Sequence, residues 1–199
     1  SLTGNLPDFS TDPFGTIDNV PNPVVITIDP YFPPKASTKV DLSINLDPRL
    51  APAAVPFDPI DANTYNGSTV ATVFDSTGGQ HQLRIYFATP GAGNHWNMYS
   101  TLDYSPSNPT PVTGPIDVAF DTAGVLATTM PMAASSFVTA GGETLSIAVD
   151  LTGTTQFGTP LSVNALSQDG YGEGSLQDGY EFSVQADGHL SARYSNGQR

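Results

Sequence analysis

The chain predicts an all-β fold, and three observations carry that reading. Nineteen glycines and eighteen prolines in 199 residues far exceed the roughly 12% that these two breakers average, which leaves little room for helices of ordinary length. Several short segments alternate apolar and polar residues with a period of two, the signature of half-buried strands. No stretch keeps a 3.6-residue period for more than a turn or two.

Residues 1–34 are rich in Pro, Asp, Asn and Gly, with one strand expected at Val24 to Ile28. Prolines 21, 23, 30, 33 and 34 fix φ around it and remove backbone donors, which suits an edge strand or an ordered extended loop. Phe9, Phe14, Tyr31 and Phe32 are apolar anchors that argue against a floppy arm. From Lys39 strict alternation begins: Val40, Leu42, Ile44 and Leu46 share one face, with Asp41, Ser43 and Asn45 on the other. A proline-rich crossing from Pro48 to Pro59 follows.

Thr69 to Phe74 and Gln82 to Phe87 form a hairpin through the Asp75–Gln80 turn, and Trp96, Met98 and Tyr99 open a third strand after Gly91–Asn94. Residues 103–115 read as a loop. Ile116 to Phe120 and Val125 to Thr128 read as a second hairpin, Thr144 to Asp150 as a further strand, and Glu181 to Gln185 with His189 to Tyr194 as a last hairpin. Three turns carry Asp followed by Gly, at Asp75, Asp121 and Asp187. Asp opening a turn and Gly closing it is ordinary turn chemistry, so this is shared turn type and not duplication.

Nineteen acidic residues against six basic ones give a formal charge of −13. Nucleic-acid binding needs a basic footprint that this chain lacks, and an anionic membrane surface would repel it. The acids are scattered singly, as on a solvated surface. The absence of cysteine excludes disulfides, thiolate nucleophiles and Cys-type metal sites. No apolar run approaches the ~20 residues of a membrane helix. The chain opens at Ser1 with no signal peptide and is expected to be a fragment of something longer.

No residue earns a catalytic, cofactor-binding or metal-binding assignment. His81, His95 and His189 show neither the i, i+2 nor the i, i+4 spacing that aims two imidazoles at one ion. Asp75, Asp121 and Asp187 are isolated, without the acid spacing of a calcium loop. Gly172-Glu173-Gly174-Ser175 resembles part of a nucleophile elbow but lacks its strand-to-helix setting. Trp96, Tyr99, Tyr104, Tyr86 and Tyr65 could stack on sugars in a secreted carbohydrate-binding or adhesin-like β-sandwich; the alternative is that Trp96 and its neighbours are core. A secreted hydrolase would require two carboxylates about 5–9.5 Å apart.

Three turn-rich segments in order, Thr152–Gly158 (TGTTQFG), Leu166–Tyr171 (LSQDGY) and Tyr194–Gln198 (YSNGQ), resemble the bacterial flagellar hook protein family. Lys35–Leu46, residues 62–66 and Val73–His81 look like that family's middle-domain entry strand and first hairpin. The resemblance covers 35–102 and 145–198; residues 103–144 carry no recognised motif, and Gln177-Asp178-Gly179-Tyr180 departs by partly repeating the preceding turn. It implies a β-barrel middle domain over 33–152. Residues 1–32 and 153–199 would form part of a second, inner β domain, with an extended Pro-rich loop at Leu6–Pro23.

The resemblance further implies a structural, non-enzymatic, cofactor-free subunit that self-associates into the flexible helical tube transmitting motor torque to the filament. Its implied partners are other copies of the hook subunit and, through the full-length chain, hook-associated, rod and hook-cap proteins. The large middle insertion favours hook over rod. The implied location is extracellular, in the hook of the flagellum, after export without a cleaved signal peptide. Lacking the family's helical termini, the fragment is expected to be monomeric in solution.

Overall fold

The computed structural model describes residues 2–4, 24–26, 29–91, 93–176, 183–184 and 190–199. It divides into two compact units, one of Pro33–Glu173 and one built from Ser1–Phe32 with Gly174–Arg199. The chain enters through three short strands, β1 (Leu2–Gly4), β2 (Val24–Ile26) and β3 (Tyr31–Phe32). The larger unit then supplies β4 (Lys39–Asn45), β5 (Gly67–Phe74), β6 (Gln80–Ala88) and β7 (His95–Leu102). After these come β8 (Thr113–Ala119), β9 (Ser135–Val138), β10 (Thr144–Asp150) and β11 (Ser162–Gln168). The smaller unit resumes with β12 (Gly174–Ser175), β13 (Ser183–Val184) and β14 (Leu190–Ser191). The only helix among the described residues is one 3-10 turn, Ala62–Thr64, so the fold is all-β.

Two four-stranded sheets build the larger unit, in the orders β11-β4-β10-β9 and β5-β6-β7-β8. The second is an antiparallel meander whose first three strands follow the alternation in the sequence. The first is mixed: β4 pairs in parallel with β10 and antiparallel with β11. Inward residues of both sheets meet in one core that includes Leu42, Ile44, Leu83, Phe87, Trp96 and Ile147. Burying each such side chain is worth about 1.5–3 kcal/mol, and the period-two pattern sorts them inward without helical context.

The two sheets approach a barrel at their margins. Leu161, just before β11, packs over Gly67 at the start of β5. Thr155 bridges both to Asn45 at the end of β4 and to Val125 beyond β8.

Where sequence and structure differ, the unmatched elements lack an alternating pattern. Residues 166–168, read as part of a turn, end β11, whose partner β4 lies more than a hundred residues away in sequence. This long ladder lies within the larger compact unit, which runs to Glu173. β9 lies in a Ser/Ala-rich stretch that gave no strand signal. β8 starts earlier than expected, at Thr113, and Val125–Thr128 folds back on its end through the Phe120–Leu126 bridge and the Asp121 N–Val125 O and Ala127 N–Ala119 O bonds, without extending into a full strand. In the smaller unit β13 pairs with β14, as the expected last hairpin requires. Asp187, His189 and residues 177–180 lie outside the described residues, as does the Leu6–Pro23 loop.

Candidate functional site

The segments that set this sequence apart resolve into structural staples. In Gln168-Asp169-Gly170-Tyr171, Asp169 accepts the backbone amides of Thr38 (2.8 Å) and Lys39 (2.9 Å), the Thr38 hydroxyl (2.7 Å) and the Lys35 ammonium (3.2 Å). Burial alone would raise its carboxyl, but these bonds more than reverse that and hold it at about 2. The Ser37 hydroxyl donates to Gln168 Oε1 at 2.8 Å, and Lys35 and Tyr171 exchange both backbone bonds at 2.9 Å. Gly170 is required here: a Cβ would overlap Ser37 Oγ and sit 2.7 Å from the Ser37 amide nitrogen. The motif is thus a clasp between the chain's entry to the larger unit and its exit.

Gly153-Thr154-Thr155-Gln156-Phe157 is a strap along the end of β4. The buried Thr154 hydroxyl accepts from the Ile44 amide at 3.3 Å, while Thr155 donates to Ile44 O and receives Leu46 N. The buried Asn45 side chain holds the next turn. It donates to Phe157 O and Thr159 O and accepts Phe157 N at 3.0 Å. On the far side Gln156 N donates to Gly124 O. Gly124, at φ +78°, sits where a Cβ would be 2.6 Å from Gln156 O.

In the smaller unit Tyr194-Ser195-Asn196-Gly197 does similar work. The Tyr194 hydroxyl donates to Asp29 O at 2.8 Å, and its ring lies 5.1 Å from that of Phe32. Ser195 N donates to Ser175 O.

The titratable groups singled out earlier are dispersed or committed. His81 is pinched between Asp103 Oδ2 (2.6 Å) and Asp75 Oδ2 (3.1 Å). Burial opposes its charged form, yet the bonds to Asp103 and Asp75 outweigh this and raise its pKa above the ordinary value. Burial would also raise Asp75, but bonds from His81, Thr77 and Gly79 prevail and hold it at about 2. His95 makes an exposed pair with Asp117 at 2.9 Å, and Asp121 caps its own turn through the amides of Ala123 and Val125. Among the described residues no three His, Asp or Glu side chains gather in a way that would hold a metal ion.

The five aromatics do not form one platform. Trp96 is fully buried in the core, whereas Tyr99, three residues along the same strand, faces the other way because successive side chains alternate. There Tyr99 stacks on Phe57 at 4.1 Å, and Phe57 and Tyr65 both set their ring edges against Tyr86, at 5.1 and 4.9 Å. The proline-rich crossing thereby roofs the outer face of β6 and β7, a packing role that sequence reasoning missed. The only available signal was Phe57, a large aromatic set among prolines.

Comparison with known proteins shows what the chain is similar to. A family model described as the flagellar basal body protein FlaE D2 domain matches residues 42–171. The chain is 31% identical over 203 residues to the flagellar hook protein FlgE of Escherichia coli strain K12, covering 99% of this chain and 48% of that protein. It is 29% identical over 202 residues to FlgE of Salmonella typhimurium, with the same coverage. It therefore spans about half the length of these curated relatives. The crystal structure of Helicobacter pylori flagellar hook protein FlgE2 superposes with a TM-score of 0.57 at 16% identity, over 88% of this chain and 67% of that one, which is evidence of a shared fold. The strap and the clasp fall inside or beside the matched segment, and by that match this chain belongs to the flagellar hook protein FlgE family.

Proposed function

We propose that this chain is the outer portion of a flagellar hook subunit, a structural protein whose copies pack into a flexible helical tube that carries motor torque to the filament. One observation carries the reading most directly: a flagellar family model matches residues 42–171, and the strap and clasp motifs within that segment are spent on internal bonds. A brick that must bend against its neighbours needs a rigid interior, and clasps across distant chain segments supply one. In this reading Pro33–Glu173 is the middle β domain, and the two chain ends form part of the inner domain. The subunit works without catalysis or cofactor, outside the cell, after export without cleavage of a leader. Its contacts with rod, cap and hook-associated proteins belong to the full-length protein. The 199-residue chain alone is monomeric.

Sheared hook preparations test this. The protein is expected in purified hooks with an uncleaved N-terminus by mass spectrometry, and its deletion abolishes swimming. A deletion strain that swims with normal hooks would sink the reading.

A further inference from the structure

Residues 50–57 read Leu-Ala-Pro-Ala-Ala-Val-Pro-Phe, without a charge or a hydrogen-bonding side chain. This apolar ridge is firmly tethered. Ala53 N donates to Thr89 O, Ala54 N to Asn63 O, and Asn66 Nδ2 to Ala51 O, while Phe57 is stacked on Tyr99. Yet Val55 is 84% exposed, and Leu50 and Ile60 are exposed as well. A contiguous apolar surface held in place rather than tucked away marks an interaction site.

Elsewhere on the same unit a cavity of about 60 Å³ opens between the end of β7 and β9, lined by Leu102, Thr110, Pro111, Ser136, Phe137 and Val138. That is well short of the ~150 Å³ that admits a benzene ring, so a small aliphatic side chain fits and an aromatic one does not. Val138 at this cavity is 57% exposed.

Charge selects the occupant. Copies carrying −13 repel one another, so they meet best where carboxylates are absent. The ridge is uncharged, and so are Tyr104–Pro115 and Thr122–Gly142, the segments that supply most of the cavity wall. The ridge is tied to Thr89, just past the end of β6. The cavity residue Leu102 pairs with Leu83, near the start of that strand. At ~3.3 Å per residue those anchors lie roughly 20 Å apart. A protrusion and a matching hollow at separate places on one unit make a heterologous contact, which closes into rings or extends into helices.

The geometry points to a head-to-tail contact between copies of this chain, in which Val55 of one copy seats in the Leu102, Phe137 and Val138 cavity of the next. This deepens, and rests on, the reading of the chain as a hook subunit.

The chain contains no cysteine, so single cysteines report the contact cleanly. Val55→Cys and Val138→Cys are introduced separately and together into the full-length protein in its own cells, and isolated hooks are mildly oxidised. Val125→Cys, at another exposed valine, is the control. The expected result is a ladder of multimers from the double variant and mixed dimers from co-expressed single variants, with neither single variant alone dimerising. Hooks that contain the protein but yield no 55–138 link, or that link 55 to 55 or 55 to 125 instead, overturn the contact and leave the hook reading intact. Absence of the protein from hooks removes both.

Discussion

Asp169 reaches back across the sequence to Thr38, accepting its backbone amide at 2.8 Å and its hydroxyl at 2.7 Å with one carboxylate. Because Lys39 N and the Lys35 ammonium bind the same group, the charged form of Asp169 holds the larger unit closed at its neck.

That carboxyl sits at about 2 in the folded chain, against about 3.9 unfolded. A depressed carboxyl contributes stability that is fully present above the unfolded value and lost as pH falls through the folded one. Urea unfolding is therefore expected to show stability declining from about pH 4 toward pH 2. Asp169→Asn lowers stability at pH 7 by about 1–3 kcal/mol, the cost of losing a charged acceptor, and makes the acid decline shallower. Asp75, also held at about 2, keeps part of the slope. An unchanged acid limb in the variant would refute the clasp.

His81 gives the opposite sign. Its pKa is raised by Asp103 and Asp75 against the pull of burial, so its contribution is complete below about pH 6.5 and is lost as pH rises through the folded value. The imidazole titration followed by NMR is expected to have a midpoint above the ordinary one. The wild-type chain should lose stability on mild alkalinisation, a step absent from His81→Gln. A midpoint at or below 6.5 would contradict the pinched geometry.

Two glycines predict opposite outcomes from one substitution. Gly170→Ala drives a methyl into Ser37 and is expected to destabilise by about 1–3 kcal/mol, as overpacking does. Gly158 is exposed, and the atoms nearest a Cβ there belong to Arg49, at an ordinary contact distance of 3.7 Å, so Gly158→Ala is neutral or stabilising by up to about 1 kcal/mol through the unfolded chain. Denaturant midpoints of the two variants decide this.

Asn45 fastens the strap through both ends of its amide. Asn45→Ala leaves buried groups unpaired and is expected to cost about 1–3 kcal/mol, with faster hydrogen exchange at the Phe157 amide. Unaltered exchange there would mean the strap is held by something else.

Val55→Asp tests whether the ridge is surplus to folding. Its exposure predicts a stability change within about 0.5 kcal/mol, whereas Trp96→Ala in the core is expected to cost about 3–5 kcal/mol. Comparable losses in the two variants would place Val55 in the fold rather than on an interaction surface.

The all-β class and the strands β4 to β7 and β10 were legible because each turns one apolar face to the core, and period-two alternation is a local property. So were the family motifs, whose glycines and turn residues are written in the sequence itself. The tertiary structure alone decided what those motifs do. That Gly170 must make room for Ser37, or that Asn45 ties down Phe157, depends on segments more than a hundred residues apart, and no local pattern encodes the meeting. β11 and β9 escaped because neither writes an apolar face into the sequence: β11 is almost wholly exposed, and β9 is four residues long and opens on two serines. The ridge at 50–57 looked like a mere crossing until the backbone bonds of Ala53 and Ala54 and the stacking of Phe57 on Tyr99 showed it to be fixed with Val55 left outside.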